Sequence, residues 1–193
     1  MTLRRTSFPA LLLAASALAP SAAAPQGFSS PAAGVLQPKS YVSLQPVPRG
    51  RLFEIAVVAK ITPGYHVNAH QPAEDYLIPT RITAELPAGV RLVETTYPRG
   101  IMRKFQFSET ALRVYENSFT VRMKLRASAT APMGPQKIPL TIQYQACTQE
   151  MCLQPAKVAA TAEIDVAAED TPALSANPAI FSPRARAKAP AQR

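Results

Sequence analysis

The thiols come first. Cys147 and Cys152 are the only cysteines in the 193 residues, with four residues between them. They lie in Tyr144-Gln145-Ala146-Cys147-Thr148-Gln149-Glu150-Met151-Cys152-Leu153-Gln154-Pro155. An even count in an exported chain points to a disulfide. A strand running into Cys147, a short loop and a second extended segment from Cys152 would bring the two Cα atoms to about 5 Å, within disulfide range. A crosslink closing about six residues stabilises by roughly 2 kcal/mol in the chain-entropy model, against near 4.7 for about 100 residues. Strand alternation groups Cys147 with Thr141, Gln143 and Gln145 on a wet face, where an incoming thiolate can reach it. The spacing leaves a local structural staple and a reactive dithiol both open. Nothing in the loop lowers a thiol pKa, and Glu150 disfavours a nearby thiolate. That argues against the hyper-reactive cysteine of a peroxidase or protease and suits a carrier whose thiols react only when a partner docks.

His66 and His70 are the only histidines. With the cysteines they would make up a Cys2His2 zinc set, but in a strand they stand about 13 Å apart, too far to share one ion. The expectation is no metal and no cofactor, with His66, Asn68 and His70 forming one polar face beside the cysteine hairpin. Of the methionines, Met123 reads as core and Met151 as contact surface; with Met102 and Met133 they are scattered and make only a weak copper-binding set. No Ser/His/Asp order, glycine-rich phosphate loop or paired carboxylates support a hydrolase or a nucleotide enzyme.

The elements that must position these residues have a period of two. Phe53, Ile55, Val57, Ala59 and Ile61 alternate with Glu54, Ala56, Val58 and Lys60. Phe119, Val121, Met123 and Leu125 alternate with Thr120, Arg122, Lys124 and Arg126. Ile138, Leu140, Ile142, Tyr144 and Ala146 do the same with Pro139, Thr141, Gln143 and Gln145. Each set predicts a strand with one face on a core. Shorter strands are expected at 41–47, 65–70, 76–86, 90–97, 111–116 and 157–166. Turn signals such as Thr62-Pro63-Gly64, Pro87-Ala88-Gly89 and Pro98-Arg99-Gly100 separate them. The 20 prolines leave little room for long helices. The fold class that follows is all-β, an immunoglobulin-like antiparallel β-sandwich, with a closed barrel as the alternative.

The ends read differently. Arg4 and Arg5 precede an apolar stretch from Phe8 to Ala19, and Ser21 to Ala24 offers small residues for cleavage. Residues 1–23 therefore read as a signal peptide, which makes the mature chain periplasmic or secreted and its compartment oxidising. The two arginines fit the ordinary export route and also the twin-arginine one. Residues 24–38 read as a linker, 39–168 as the folded domain, and 169–193 as a disordered, basic, Pro/Ala-rich tail. No apolar run is long enough to span a bilayer. The net charge of +9 is concentrated at the ends. Residues 35–170 hold 15 basic and 12 acidic side chains, too even a balance for a nucleic-acid footprint.

The stretch Tyr-Gln-Ala-Cys-x4-Cys-Leu-x-Pro at 144–155 resembles the active-site hairpin in the N-terminal periplasmic domain of the thiol:disulfide interchange protein DsbD. Pro63-Gly64-Tyr65-His66-Val67-Asn68-Ala69-His70, Tyr76-Leu77-Ile78-Pro79-Thr80 and Val114-Tyr115-Glu116-Asn117 agree, so the resemblance covers about 40–167. It implies an immunoglobulin-like domain with a redox dithiol that passes electrons between thioredoxin-like partners; the chain itself is expected to be a monomer. By the same resemblance Cys152 forms the mixed disulfide and Cys147 resolves it. A cap loop shields the disulfide in that family; the matching region here is Arg103 to Glu109, and Phe105 or Phe107 is the expected cap. The family's membrane and thioredoxin-like domains have no counterpart in these residues, so the expected electron donor is a separate protein. A non-catalytic immunoglobulin-like adaptor with a hairpin staple is the alternative. The two differ in reduction potential.

Overall fold

A computed structural model describes residues 32–182. The expected signal peptide, most of the expected linker and the end of the expected tail lie outside the described residues. In chain order the first strands are β1 (Leu36–Val42), β2 (Leu44–Gln45), β3 (Val47–Pro48), β4 (Leu52–Ile61) and β5 (His66–Asn68). There follow β6 (Arg81–Ala84), β7 (Val90–Thr96), β8 (Ile101–Arg103), β9 (Leu112–Glu116) and β10 (Ser118–Ala127). The last are β11 (Gly134–Tyr144), β12 (Ala146–Cys147), β13 (Ala156–Ala167), β14 (Leu174–Ser175) and one helical turn, α1 (Pro178–Phe181).

One sheet has the order β1-β4-β10-β7 and a second the order β3-β13-β11-β6. Their inner faces carry the alternating residues read from the sequence. Phe53, Ile55, Val57, Ala59 and Ile61 face Phe119, Val121, Met123 and Leu125 within the first sheet's buried layer, and Ile138, Leu140, Ile142 and Tyr144 line the second. The register of β4 on β10 runs from Lys60↔Ser118 to Leu52↔Arg126 without a break, as a strictly alternating pair requires. Apart from the short parallel pairing of β13 with β3, the ladders are antiparallel. The fold is an immunoglobulin-like antiparallel β-sandwich, as the periodicity predicts.

A third sheet, β12-β5-β9-β8, sits where the long strands hand over to short ones. Two local features create it. At Asn117 the backbone is left-handed (φ 58), a conformation asparagine tolerates, and the chain passes there from β9 into β10. At Gln145 the chain leaves β11, and the next two residues pair with β5 instead of β6. The Gln145 side chain spans that junction: its Oε1 accepts from Asn68 Nδ2 at 3.2 Å and its Nε2 donates to the Leu153 carbonyl at 3.2 Å.

Two boundaries differ from the sequence reading. β1 starts at Leu36, inside the expected linker, and Ala32, Val35 and Leu36 are buried in the main core. The Ala/Pro-rich composition hides a strand whose partner, β4, lies elsewhere in the chain. As an edge strand, β1 tolerates Pro38. In the expected disordered tail, β14 pairs with β2, and Asn177 Nδ2 donates to the Val42 carbonyl at 2.9 Å. Phe181 lies 5.5 Å from the Arg122 guanidinium, which also donates to the Ile180 carbonyl at 2.7 Å. This segment is held by polar and cation–π contacts with Leu174 left exposed, so apolar composition carries no trace of it. The strand β8 and the turn of helix α1 were also not anticipated.

Candidate functional site

The third sheet arranges the chemistry in one row. Cys147 on β12 is the register partner of His66 on β5, and His66 is in turn the partner of Glu116 on β9. On its other side Cys147 pairs with Cys152 in an antiparallel bridge. Residues directly opposite each other in a sheet project from the same face, with Cβ atoms about 5 Å apart. The side chains of Cys152, Cys147, His66 and Glu116 therefore form a lateral row. Arg103 closes its far end with a two-pronged bond to Glu116, at 3.0 and 3.1 Å.

Cys147 and Cys152 are joined in a disulfide, with Cα atoms 3.9 Å apart. The loop between them is a tight turn. Thr148 N–H donates to the Met151 carbonyl at 2.8 Å, and Thr148 Oγ1 accepts from the N–H groups of Glu150 and Met151. Such hydroxyl-to-backbone bonds favour turns. Below the cysteines, Leu153 N–H donates to the Ala146 carbonyl at 2.8 Å. The sequence places Cys147 on a wet face; in the structure it is completely buried. The alternation of β11 ends at Tyr144, and the switch to a new sheet at Gln145 buries Ala146 and Cys147 alike. Cys152 remains half-buried, so the two ends of the bond differ in exposure.

Phe105 covers this row at His66. Its ring stacks on His66 with centroids 3.9 Å apart, and it is buried with Leu77, Ile101, Leu112 and Val114 in a small core of its own. Phe107 stacks on Phe105 at 5.4 Å from the outside and is 37% exposed. The loop carrying both is tied to the cysteine turn by Gln106 N–H donating to the Gln149 carbonyl at 3.2 Å. It is closed on itself by Lys104 Nζ donating to the Glu109 carbonyl, and braced by Thr110 Oγ1 donating to Glu74 at 2.8 Å.

His66 is buried, and among the described residues its Nε2 has no hydrogen-bond partner. Burial lowers its pKa from 6.5 to about 4, with the neighbouring Glu116 carboxylate pulling the other way. The imidazole is therefore neutral at pH 7. A buried polar atom left unpaired costs about 1–3 kcal/mol, so this one invites an explanation.

The other residues expected around the site are dispersed. Asn68 is buried on the same strand, but its amide donates to the Ile78 carbonyl and Gln145. His70 stacks on Tyr97 at 3.6 Å, places Nδ1 3.0 Å from the Thr80 carbonyl, and donates its backbone N–H to Tyr115 Oη. The expected polar face of His66, Asn68 and His70 thus divides among three environments. Tyr65 is half-buried against the main core, and Glu150 is exposed at the tip of the turn. Glu116, Arg103, Gln145, Gln106 and Gln149 were not singled out as site residues. Glu116 stood inside a stretch that the resemblance marked, but only the register shows that it is next to His66. Among the described residues no three His, Cys, Asp or Glu side chains are placed to hold a metal ion.

An immunoglobulin-like sandwich that carries a hairpin disulfide on its rim, tied to an aromatic loop, defines the class: a β domain bearing a disulfide at the edge of a short sheet. The profile of the family described as "Thiol:disulfide interchange protein DsbD, N-terminal" matches residues 32–163, and the chain belongs to that family. Among solved structures it is similar to the N-terminal periplasmic domain of ScsB from Proteus mirabilis, with a TM-score of 0.51 and 13% identity. That alignment covers 84% of this chain and 57% of the other, so the chain spans little more than half the length of its structural relative. A likeness at this identity speaks for the fold alone. No curated protein sequence matches the chain.

Proposed function

We propose that this protein is an exported, periplasmic thiol–disulfide interchange domain that passes two electrons between thioredoxin-like partners through Cys147 and Cys152. The observation that carries this reading is the asymmetry of the disulfide in a member of this family. Cys147 is completely buried beside His66, whose ring Phe105 covers, while Cys152 is only half-buried. A partner thiolate approaching from solvent meets the Sγ of Cys152 and displaces Cys147, giving a mixed disulfide at Cys152. Cys147 resolves it when electrons are passed on. No cofactor takes part in this exchange. Among the described residues no helix is long and apolar enough to cross a membrane.

The reduction potential tests the reading. A carrier lies near thioredoxin-like proteins, between about −270 and −180 mV, whereas a structural disulfide lies below about −300 mV. Equilibration with graded thiol buffers, read by thiol alkylation and mass, gives the value. A potential below about −300 mV would make the disulfide a staple and the domain an adaptor.

A further inference from the structure

The unpartnered Nε2 of His66 sits in the same row as Cys147, one strand away and on the same face. We propose that His66 is a redox-sensing partner of Cys147: its Nε2 is unpaired while the disulfide is closed and accepts a hydrogen bond from the Cys147 thiol once the disulfide opens, so that it favours the dithiol state and raises the reduction potential. The inference rests on the redox reading of the pair and names the residue that tunes it.

The bond accounting is simple. In the disulfide the Cys147 sulfur has no proton to give, and the buried imidazole nitrogen has no hydrogen-bond partner among the described residues. A dithiol reductant attacks Cys152, breaks the Cys147–Cys152 bond and forms a mixed disulfide. Cys147 leaves as a thiolate and takes a proton from solvent. The reductant's second thiolate then displaces Cys152, which is protonated in turn. The reductant ends as its disulfide, and the pair has gained two electrons and two protons. One of those protons now lies between Cys147 Sγ and His66 Nε2. Burial in apolar surroundings disfavours a thiolate in general, which leaves the protonated form that can donate. The groups facing His66 are compatible with a neutral ring. Glu116 is its neighbour on β9 and is occupied by Arg103, Cys147 is its neighbour on β12, and Phe105 covers it from the loop. The ring also has a purely structural use, as the surface on which Phe105 stacks, and the test must separate the two.

His66→Phe keeps a flat ring under Phe105 and removes the acceptor. Its potential, measured against oxidised and reduced dithiothreitol at pH 7, is expected to be more negative. The equilibrium constant for reduction falls about tenfold, which is about 30 mV for a two-electron couple. His66→Gln, which retains an acceptor, is expected to stay within about threefold of the native constant. Should the phenyl variant not fold, His66→Leu carries the same tenfold expectation. A purely structural role would lower the melting temperature of both redox states alike and leave the potential in place. A constant within twofold of native in the Phe or Leu variant, or an equal fall in the Gln variant, overturns the proposal. The measured quantity is a difference between variants, so it stands or fails separately from the carrier reading, which rests on the native value.

Discussion

Three side chains at the site lend themselves to single-residue tests. Phe105 is both the cover of His66 and the centre of a small apolar cluster, so Phe105→Ala has two effects. It removes a buried aromatic, at a cost of about 3 kcal/mol in unfolding free energy, and it uncovers His66 beside Cys147, which is expected to ease the access of small thiols. Reduction by dithiothreitol followed by stopped-flow should be faster in this variant, and urea midpoints should fall. Phe107→Ala, at an exposed outer position, should leave stability within about 0.5 kcal/mol of native. His66 makes a pH prediction. Its folded pKa of about 4 lies below the unfolded value of 6.5. Above pH 6.5 the ring is neutral in both states and protonation contributes nothing. As the pH falls from about 6.5 to 4, the unfolded chain binds a proton that the folded one refuses, so stability is lost across that window. After discounting for solvent screening at the rim, the loss is on the order of 2 kcal/mol. Urea unfolding at pH 7 and pH 4 measures it, and His66→Gln should remove that part of the dependence while the carboxylates keep theirs.

At the scale of elements the question is which cysteine meets the partner. Cys147 ends β12, paired with β5 on one side and with Cys152 on the other, and is completely buried. Cys152 follows the turn and is half-exposed. Pro155 lies just beyond it and cannot donate to a ladder. Cys147→Ala leaves the reachable thiol alone and should trap a mixed disulfide with a thioredoxin-like partner that lacks its own resolving cysteine. Cys152→Ala leaves only the buried thiol and should trap little. Non-reducing gels read both, and equal adducts would show that burial does not direct the attack. The sequence offered part of this asymmetry through the proline and the loop. It misjudged the other part, because strand alternation carried past Gln145 exposes a cysteine that the change of sheet buries.

For the whole molecule, the core and the disulfide are separable. The main core is built from β1, β4, β10, β11 and β13, whereas the disulfide closes only a sequence separation of five at one end of the third sheet. Reduction should leave the sandwich folded and lower its melting temperature by the modest amount expected of a short loop, roughly 2 kcal/mol in unfolding free energy. Thermal unfolding with and without reductant checks this. Collapse of the fold on reduction at room temperature would mean that the hairpin holds the sandwich together.

Local sequence determined the long central strands, their inward faces and the cysteine hairpin, because each is written in neighbours one or two residues apart. The period of two in 53–61, 119–125 and 138–144 matches the buried faces of β4, β10 and β11. The turn between Cys147 and Cys152 likewise follows from its own residues. The tertiary structure alone decided which residues surround the disulfide. His66 becomes the neighbour of Glu116 and of Cys147 through pairings that join residues 50 and 81 positions apart, and Phe105 reaches His66 across a loop. The same holds for the start of β1 and for the segment 174–181, whose partners lie far along the chain. Pairings of that range are set by how sheets close around a shared core, a condition on the whole chain that no local pattern encodes.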